Sequence, residues 1–106
     1  MLARVQLPRT AKPGEVIEVR ITIQHSMETG FRFELDGRPI PKNVINSLVA
    51  RYNGAEIFRA EMGSGIAANP YLQFYTVARQ SGAIEISWVD DAGNRGAERA
   101  PISVTG

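Results

Sequence analysis

Between Glu15 and Gln24 the chain alternates without interruption. Ile17, Val19, Ile21 and Ile23 fall on one parity, and Glu18, Arg20, Thr22 and Gln24 on the other. A strand sends successive side chains to opposite faces. This run therefore has one branched-aliphatic face and one polar face, and it belongs on a sheet that covers a core. The same period recurs along the chain. Val5 and Leu7 predict a short first strand, ended by Pro8. Leu48–Tyr52 and Ala55–Ala60 flank Asn53-Gly54, two residues that tolerate positive φ and so predict a type I′ hairpin. Tyr71–Arg79, Ala83–Val89 and Ala97–Thr105 follow, separated by Ser81-Gly82 and by Asp90-Asp91-Ala92-Gly93-Asn94. Ile84, Ile86 and Trp88 share one face, as do Ala100, Ile102 and Val104. Pro101 has no N–H to give a ladder, which predicts an edge position or a bulge.

Seven short strands with frequent turn signals and no helical period predict an all-β fold. The expected architecture is an immunoglobulin-like antiparallel β-sandwich of about seven strands, formed by residues 1–106 as one domain. The chain has 106 residues and no cysteine, so the sandwich has no disulfide. Its tryptophan sits on the sixth strand, not on the third as in antibody domains.

Composition narrows the chemistry. Without cysteine there is no thiolate metal site, iron–sulfur cluster or cysteine nucleophile in this chain, and one histidine rules out a multi-histidine site. The formal charge is +1 and no two Lys or Arg are adjacent, so nothing marks a basic patch for nucleic acid. No apolar run exceeds three residues, too few for a membrane span. The segment from Met1 to Pro8 lacks the apolar core of a signal peptide.

Residues 26–47 break the rhythm. This irregular stretch is too long for an ordinary hairpin loop, and loops of that length in compact domains are functional or disordered. Phe31, Phe33, Ile40, Val44 and Ile45 favour packing over disorder. His25 shares the parity of the isoleucines, so its ring is expected to enter one end of the sandwich. It reads either as a pH-sensitive or partner-binding group or as a rim histidine bonded to backbone. The second is favoured, because no other catalytic group is fixed near it. Asp90 and Asp91 are too few for a calcium site and read as a solvated, side-chain-capped turn. Glu28 and Asp36 could be paired as hydrolytic carboxylates, but nothing fixes their separation. Gly63-Ser64-Gly65 lacks a nucleophile-elbow pattern. On Tyr71–Arg79, a core face of Leu72, Phe74, Thr76 and Ala78 leaves Tyr71, Gln73, Tyr75, Val77 and Arg79 outward. Tyr and Arg are favoured at protein interfaces, although an overlying loop would also explain such a face.

Four segments then carry a resemblance. Gln24-His25-Ser26-Met27-Glu28-Thr29-Gly30-Phe31-Arg32 resembles the His-Pro-Met-Glu-Thr-Gly segment of SoxZ proteins, with Ser26 in place of the family's proline. Ile40-Pro41-Lys42-Asn43-Val44-Ile45-Asn46 is similar to the family's Ile-Pro-Arg-Asn-Ile-Ile-Asn. Ala67-Ala68-Asn69-Pro70-Tyr71-Leu72 is similar to its Ser-Ala-Asn-Pro-Tyr-Leu, and Trp88-Val89-Asp90-Asp91-Ala92-Gly93 to its Trp-x-Asp-Asp-x-Gly. In order and spacing these segments cover nearly the whole chain.

The resemblance implies the non-catalytic subunit of the SoxYZ sulfur-carrier complex of thiosulfate oxidation. In that family a SoxY partner carries sulfur intermediates on a cysteine in a C-terminal Gly-Gly-Cys-Gly-Gly arm. The matched segments and the outward face of Tyr71–Arg79 together give the expected partner interface: His25, Met27, Glu28, Thr29, Gly30, Phe31, Arg32, Asn69, Pro70, Tyr71, Tyr75 and Val77. The expectation includes no cofactor, no catalytic residue, no metal, no nucleic acid and no membrane. It also includes transient docking with other Sox enzymes through the complex, periplasmic location by export together with the partner, and a homodimer in isolated preparations. A stand-alone immunoglobulin-like module for a protein or carbohydrate would use the same loops; a neighbouring reading frame ending in Gly-Gly-Cys-Gly-Gly separates the two. A small hydrolase using Glu28, Asp36 or His25 is a third class, requiring activity that His25→Ala abolishes.

Overall fold

The computed structural model describes residues 2–63 and 65–106; Met1 and Ser64, and with Ser64 the Gly63–Gly65 loop reading, lie outside the described residues. Eight strands form two sheets: β1 (Ala3–Gln6), β2 (Thr10–Ala11), β3 (Val16–Ile23), β4 (Ile45–Tyr52), β5 (Ala55–Glu61), β6 (Tyr71–Val77), β7 (Gly82–Asp90) and β8 (Arg95–Val104). One sheet has the order β1-β3-β6 and the other β2-β8-β7-β4-β5. No helix occurs among the described residues, and none is long and apolar enough to cross a membrane. The fold is an all-β sandwich, and the predicted strands are all present.

The alternation of β3 is what closes the two sheets. Ile17, Val19, Ile21 and Ile23 are buried. Across the sandwich they meet a core that includes Leu48, Ala50 and Tyr52 of β4, Ile84, Ile86 and Trp88 of β7, and Ile102 of β8. Each of the Ile, Leu and Val side chains among them contributes about 2 kcal/mol of apolar transfer free energy. Phe58 of β5 and Phe74 of β6 stack with centroids 4.4 Å apart and join the sheets at one side. The Tyr52 hydroxyl accepts from the backbone N–H groups of Arg79 and Gln80 at 3.2 and 3.3 Å, pinning the chain after β6. Asn53 and Gly54 have φ of 49° and 86°, as the type I′ turn requires.

Three features depart from expectation. The eighth strand is β2, which pairs in parallel with the end of β8 after Pro8 turns the chain from one sheet to the other. It has only two residues, too few to leave a periodic signal. Second, Ile45, Asn46 and Ser47 belong to β4, with a bulge between Ile45 and Ser47 against β7. Third, Phe31 and Phe33 do not pack: they are 83% and 66% exposed, while Val44 and Ile45 are buried as expected. The reason is the shape of the segment before β4. It folds back on itself as an irregular hairpin arm, with bridges Glu28–Asn43 and Phe33–Pro39 and a turn in which the Gly37 N–H donates to the Glu34 carbonyl. Neither sheet lies behind this arm. The whole chain measures 61 × 19 × 19 Å.

Candidate docking arm and its root

The arm is built by backbone pairing. Glu28 and Asn43 exchange both hydrogen bonds at 2.9 Å, Ile40 donates to the Arg32 carbonyl at 2.9 Å, and Glu34 donates to the Arg38 carbonyl at 2.7 Å. Phe31, Phe33 and Leu35 alternate toward the turn, and all three are exposed; Leu35 is fully so. Large apolar side chains exposed together on one projection are the pattern of an interaction surface. Leu35 was not among the residues singled out from the sequence, and Phe33 was singled out only as a residue expected to pack. Their i, i+2, i+4 spacing with Phe31 was the available signal.

The root of the arm is a buried polar network. His25 follows β3 and is 8% exposed, so its ring does enter the sandwich end. Its Nδ1 accepts the Met27 N–H at 2.9 Å, so the proton lies on Nε2, which sits 3.0 Å from the Asp90 Oδ2. The backbone of His25 is gripped by Asn69: its N–H donates to the Asn69 Oδ1 at 3.1 Å, and its carbonyl accepts the Asn69 N–H at 2.7 Å. Asn69 reaches this position with φ of 54°, a left-handed conformation that Asn tolerates. Asp90 also accepts from the backbone and side chain of Asn94, at 2.8 and 3.1 Å. Burial raises the Asp90 pKa, but hydrogen bonds from His25, Asn94 and Asn43 outweigh it and hold the carboxyl below its ordinary value. Asp90 is thus a buried anchor, not part of a solvated turn.

Asp91 caps the other side of the root. It accepts the Val44 N–H at 3.2 Å and the Asn46 side-chain amide at 3.0 Å, and Lys42 lies 3.6 Å away. The Asn46 amide, followed by the Val44 N–H, lowers its pKa. The bulge at Asn46 fits this contact, since a bulge turns a side chain away from the sheet's own alternation. Met27 is buried with φ of 52°, and its sulfur accepts the Ile45 N–H at 3.3 Å. Gly30 has φ of 91° beside Lys42. The Glu28 Oε1 pairs with Arg32, while its Oε2 is buried without a partner.

All four segments that carry the family resemblance therefore meet at one place. His25, Met27 and Glu28 come from the first, Asn43 to Asn46 from the second, Asn69 from the third, Asp90 and Asp91 from the fourth. Thr29 is half-buried beside Glu28; Phe31 and Arg32 lie outward along the arm. Pro70 is buried, and Tyr71 is exposed at the start of β6. Tyr75 is also exposed and donates to Glu18 at 3.1 Å, and Val77 is half-buried at the far end of β6. Glu28 and Asp36 are not brought together: the first is at the root and the second in the tip turn, paired with Arg38. No cluster of three or more metal-ligating side chains occurs among the described residues.

Comparison with solved structures finds the same fold in other proteins. The superoxide reductase (neelaredoxin) of Ignicoccus hospitalis matches with a TM-score of 0.77 at 16% identity, over 99% of this chain and 81% of that one. A putative superoxide reductase of Thermotoga maritima matches with a TM-score of 0.74 at 14% identity, over 98% of this chain and 86% of that one. Likeness at such identities concerns the fold alone. No curated protein matches the chain significantly. The family model described as sulphur oxidation protein SoxZ matches residues 5–101, which include all four segments and the arm they anchor. The chain belongs to the SoxZ family of sulphur oxidation proteins.

Proposed function

We propose that this chain is the non-catalytic subunit of a sulfur-carrier heterodimer. It binds and presents a SoxY-like partner whose C-terminal cysteine carries the sulfur intermediates of thiosulfate oxidation. The observation that carries this reading is the apolar tip of the arm. Phe31, Phe33 and Leu35 are exposed on a projection whose root is hydrogen-bonded to three other segments of the chain. A tethered cargo benefits from a base of fixed shape, because the tether sets its local concentration at each visiting enzyme. A base without cysteine offers no thiol to exchange with the adduct.

Within the interface, Phe31, Arg32, Asn69, Tyr71 and Tyr75 supply exposed contacts and Val77 a half-buried one. His25, Met27, Glu28, Thr29, Gly30 and Pro70 set the backbone from which those contacts project. The chain itself performs no catalysis and needs no cofactor. It reaches the periplasm with its partner, and other Sox enzymes dock transiently on the pair. Co-expression with a SoxY-like chain ending in Gly-Gly-Cys-Gly-Gly tests the reading. Phe33→Asp with Leu35→Asp should strongly reduce co-purification, and Tyr75→Arg should weaken it, while the unfolding midpoint of the isolated chain stays unchanged. Full recovery of the pair from the arm variant would remove the arm from the interface.

A further inference from the structure

Arg4, Arg9 and Arg99 line one cleft, and none of them pairs with a carboxylate among the described residues. The cleft follows from two prolines. Strand β2 meets β8 only at Thr10–Ser103 and Ala11–Val104, and the Ser103 N–H donates to the Arg9 carbonyl. Alternate residues of a strand face the same way, so extending that ladder backward needs an N–H at position 101. Pro101 has none, and Pro8 interrupts the facing chain. The chain before β2 therefore parts from β8, and β1 lies in the other sheet. Between β1 and β8 it leaves a wedge of about 730 Å³, shut where β2 pairs with Ser103.

Val5, Leu7 and Ala100 are half-buried and give the wedge an apolar floor, while Arg4, Arg9 and Arg99 stand exposed along its walls. No carboxylate lines it. Glu85 stands opposite Arg99 on β7 without forming an ion pair, and Glu98 falls on the other parity of β8. The Ser103 N–H points to the β2 side, so the N–H and carbonyl of Arg99 do too, and β2 ends before it reaches them.

We propose that the wedge between β1 and β8 binds an extended acidic peptide segment of another protein. The segment runs beside β8 and bonds its main chain to Arg99. Its carboxylates meet Arg4, Arg9 and Arg99, and alternate small apolar side chains settle on Val5, Leu7 and Ala100. Charge selects the sign of the occupant, because three guanidiniums without an internal partner favour carboxylates and repel a basic segment. Dimensions select a chain over a single ion. The arginines come from β1, from the crossing segment and from β8, and one tetrahedral oxyanion fills only a small part of 730 Å³. The site uses none of the residues assigned to the SoxY-like partner, and it does not depend on the sulfur-carrier reading.

The test is calorimetric titration of the full chain at low salt, with a short capped peptide of alternating valine and glutamate as the probe. The expected result is saturable binding that Arg4→Glu and Arg99→Glu each weaken by about tenfold or more, the range for a lost hydrogen bond to a charged group. Arg79→Glu makes the same charge change after β6, at the opposite edge of the β1 sheet, and should leave the affinity unchanged. Raising sodium chloride from about 0.05 to 0.5 M should weaken binding in the wild type. The Arg99 amide should gain protection from hydrogen exchange when the peptide is bound. Should a variant not fold, the salt titration and the Arg99 amide of the wild type decide. Absence of binding, equal affinity for the lysine counterpart of the peptide, an affinity that neither substitution nor salt moves, or an Arg99 amide left unprotected would each overturn the proposal. So would displacement of the peptide by equimolar sulfate, which would make the site one for a small oxyanion, or tighter binding of a short oligothymidylate.

Discussion

His25 and Asp90, 65 positions apart in sequence, meet with Nε2 and Oδ2 3.0 Å from each other at the root of the arm. Both side chains are buried. The pair ties the end of β3 to the end of β7, and through the Met27 N–H on Nδ1 it also fixes where the arm departs. Replacing His25 by Ala leaves the Asp90 carboxylate with only its Asn94 and Asn43 partners. The expected loss is about 2–3 kcal/mol in urea unfolding, the range for a buried hydrogen bond to a charged group. Proteolysis within the arm should accelerate in the same variant. Wild-type stability in His25→Ala would show the pair to be incidental.

Asp90 and Asp91 make acid the condition that loosens the root. Both carboxyls are held below the ordinary 3.8. Their contribution is therefore fully present above about pH 4 and is lost as pH falls through the lowered folded-state values. Stability measured by denaturant should fall below pH 4. Asp91→Asn should be less stable than the wild type at pH 7, with the gap closing at low pH.

Met27 sets two costs against each other. Its left-handed backbone disfavours any side chain by about 1–2 kcal/mol, which Gly would relieve. Its buried side chain, with the sulfur on the Ile45 N–H, is worth about 2–5 kcal/mol by comparison with core truncations. Burial wins, so Met27→Gly should destabilise by about 1–3 kcal/mol. A stabilised Met27→Gly would mean that the backbone, not the side chain, decides this position.

Trp88 packs so closely over Gly96 that a Cβ there would overlap its indole ring. Gly96→Ala should shift the ring and cost about 1–3 kcal/mol through overpacking. The chain has one tryptophan, so its emission reports the change directly. An unaltered emission maximum with unaltered stability would contradict the packing.

The strands were legible because burial on one face imposes a period of two, as in Ile17 to Ile23 and Ile84 to Trp88. The Asn53-Gly54 turn was legible because its backbone demands those residue types. Strand β2 was not, since Thr10 and Ala11 are held by backbone bonds to β8 and carry no pattern of their own. Phe31 and Phe33 misled for a different reason. Apolar residues show that water is to be excluded, but not whether the chain's own core or another surface does it. Asp90 read as solvated because nothing local places the His25 ring against it. The motif segments marked the right region all the same: their residues brace the arm, and the exposed tip lies between the first two.

A hairpin gripped on both sides of its root behaves as an outrigger. The hydrogen bonds of His25, Asn69 and Asp91 set its bearing, so whatever seats on Phe33 and Leu35 inherits that bearing from the chain and does not have to impose it through its own contacts.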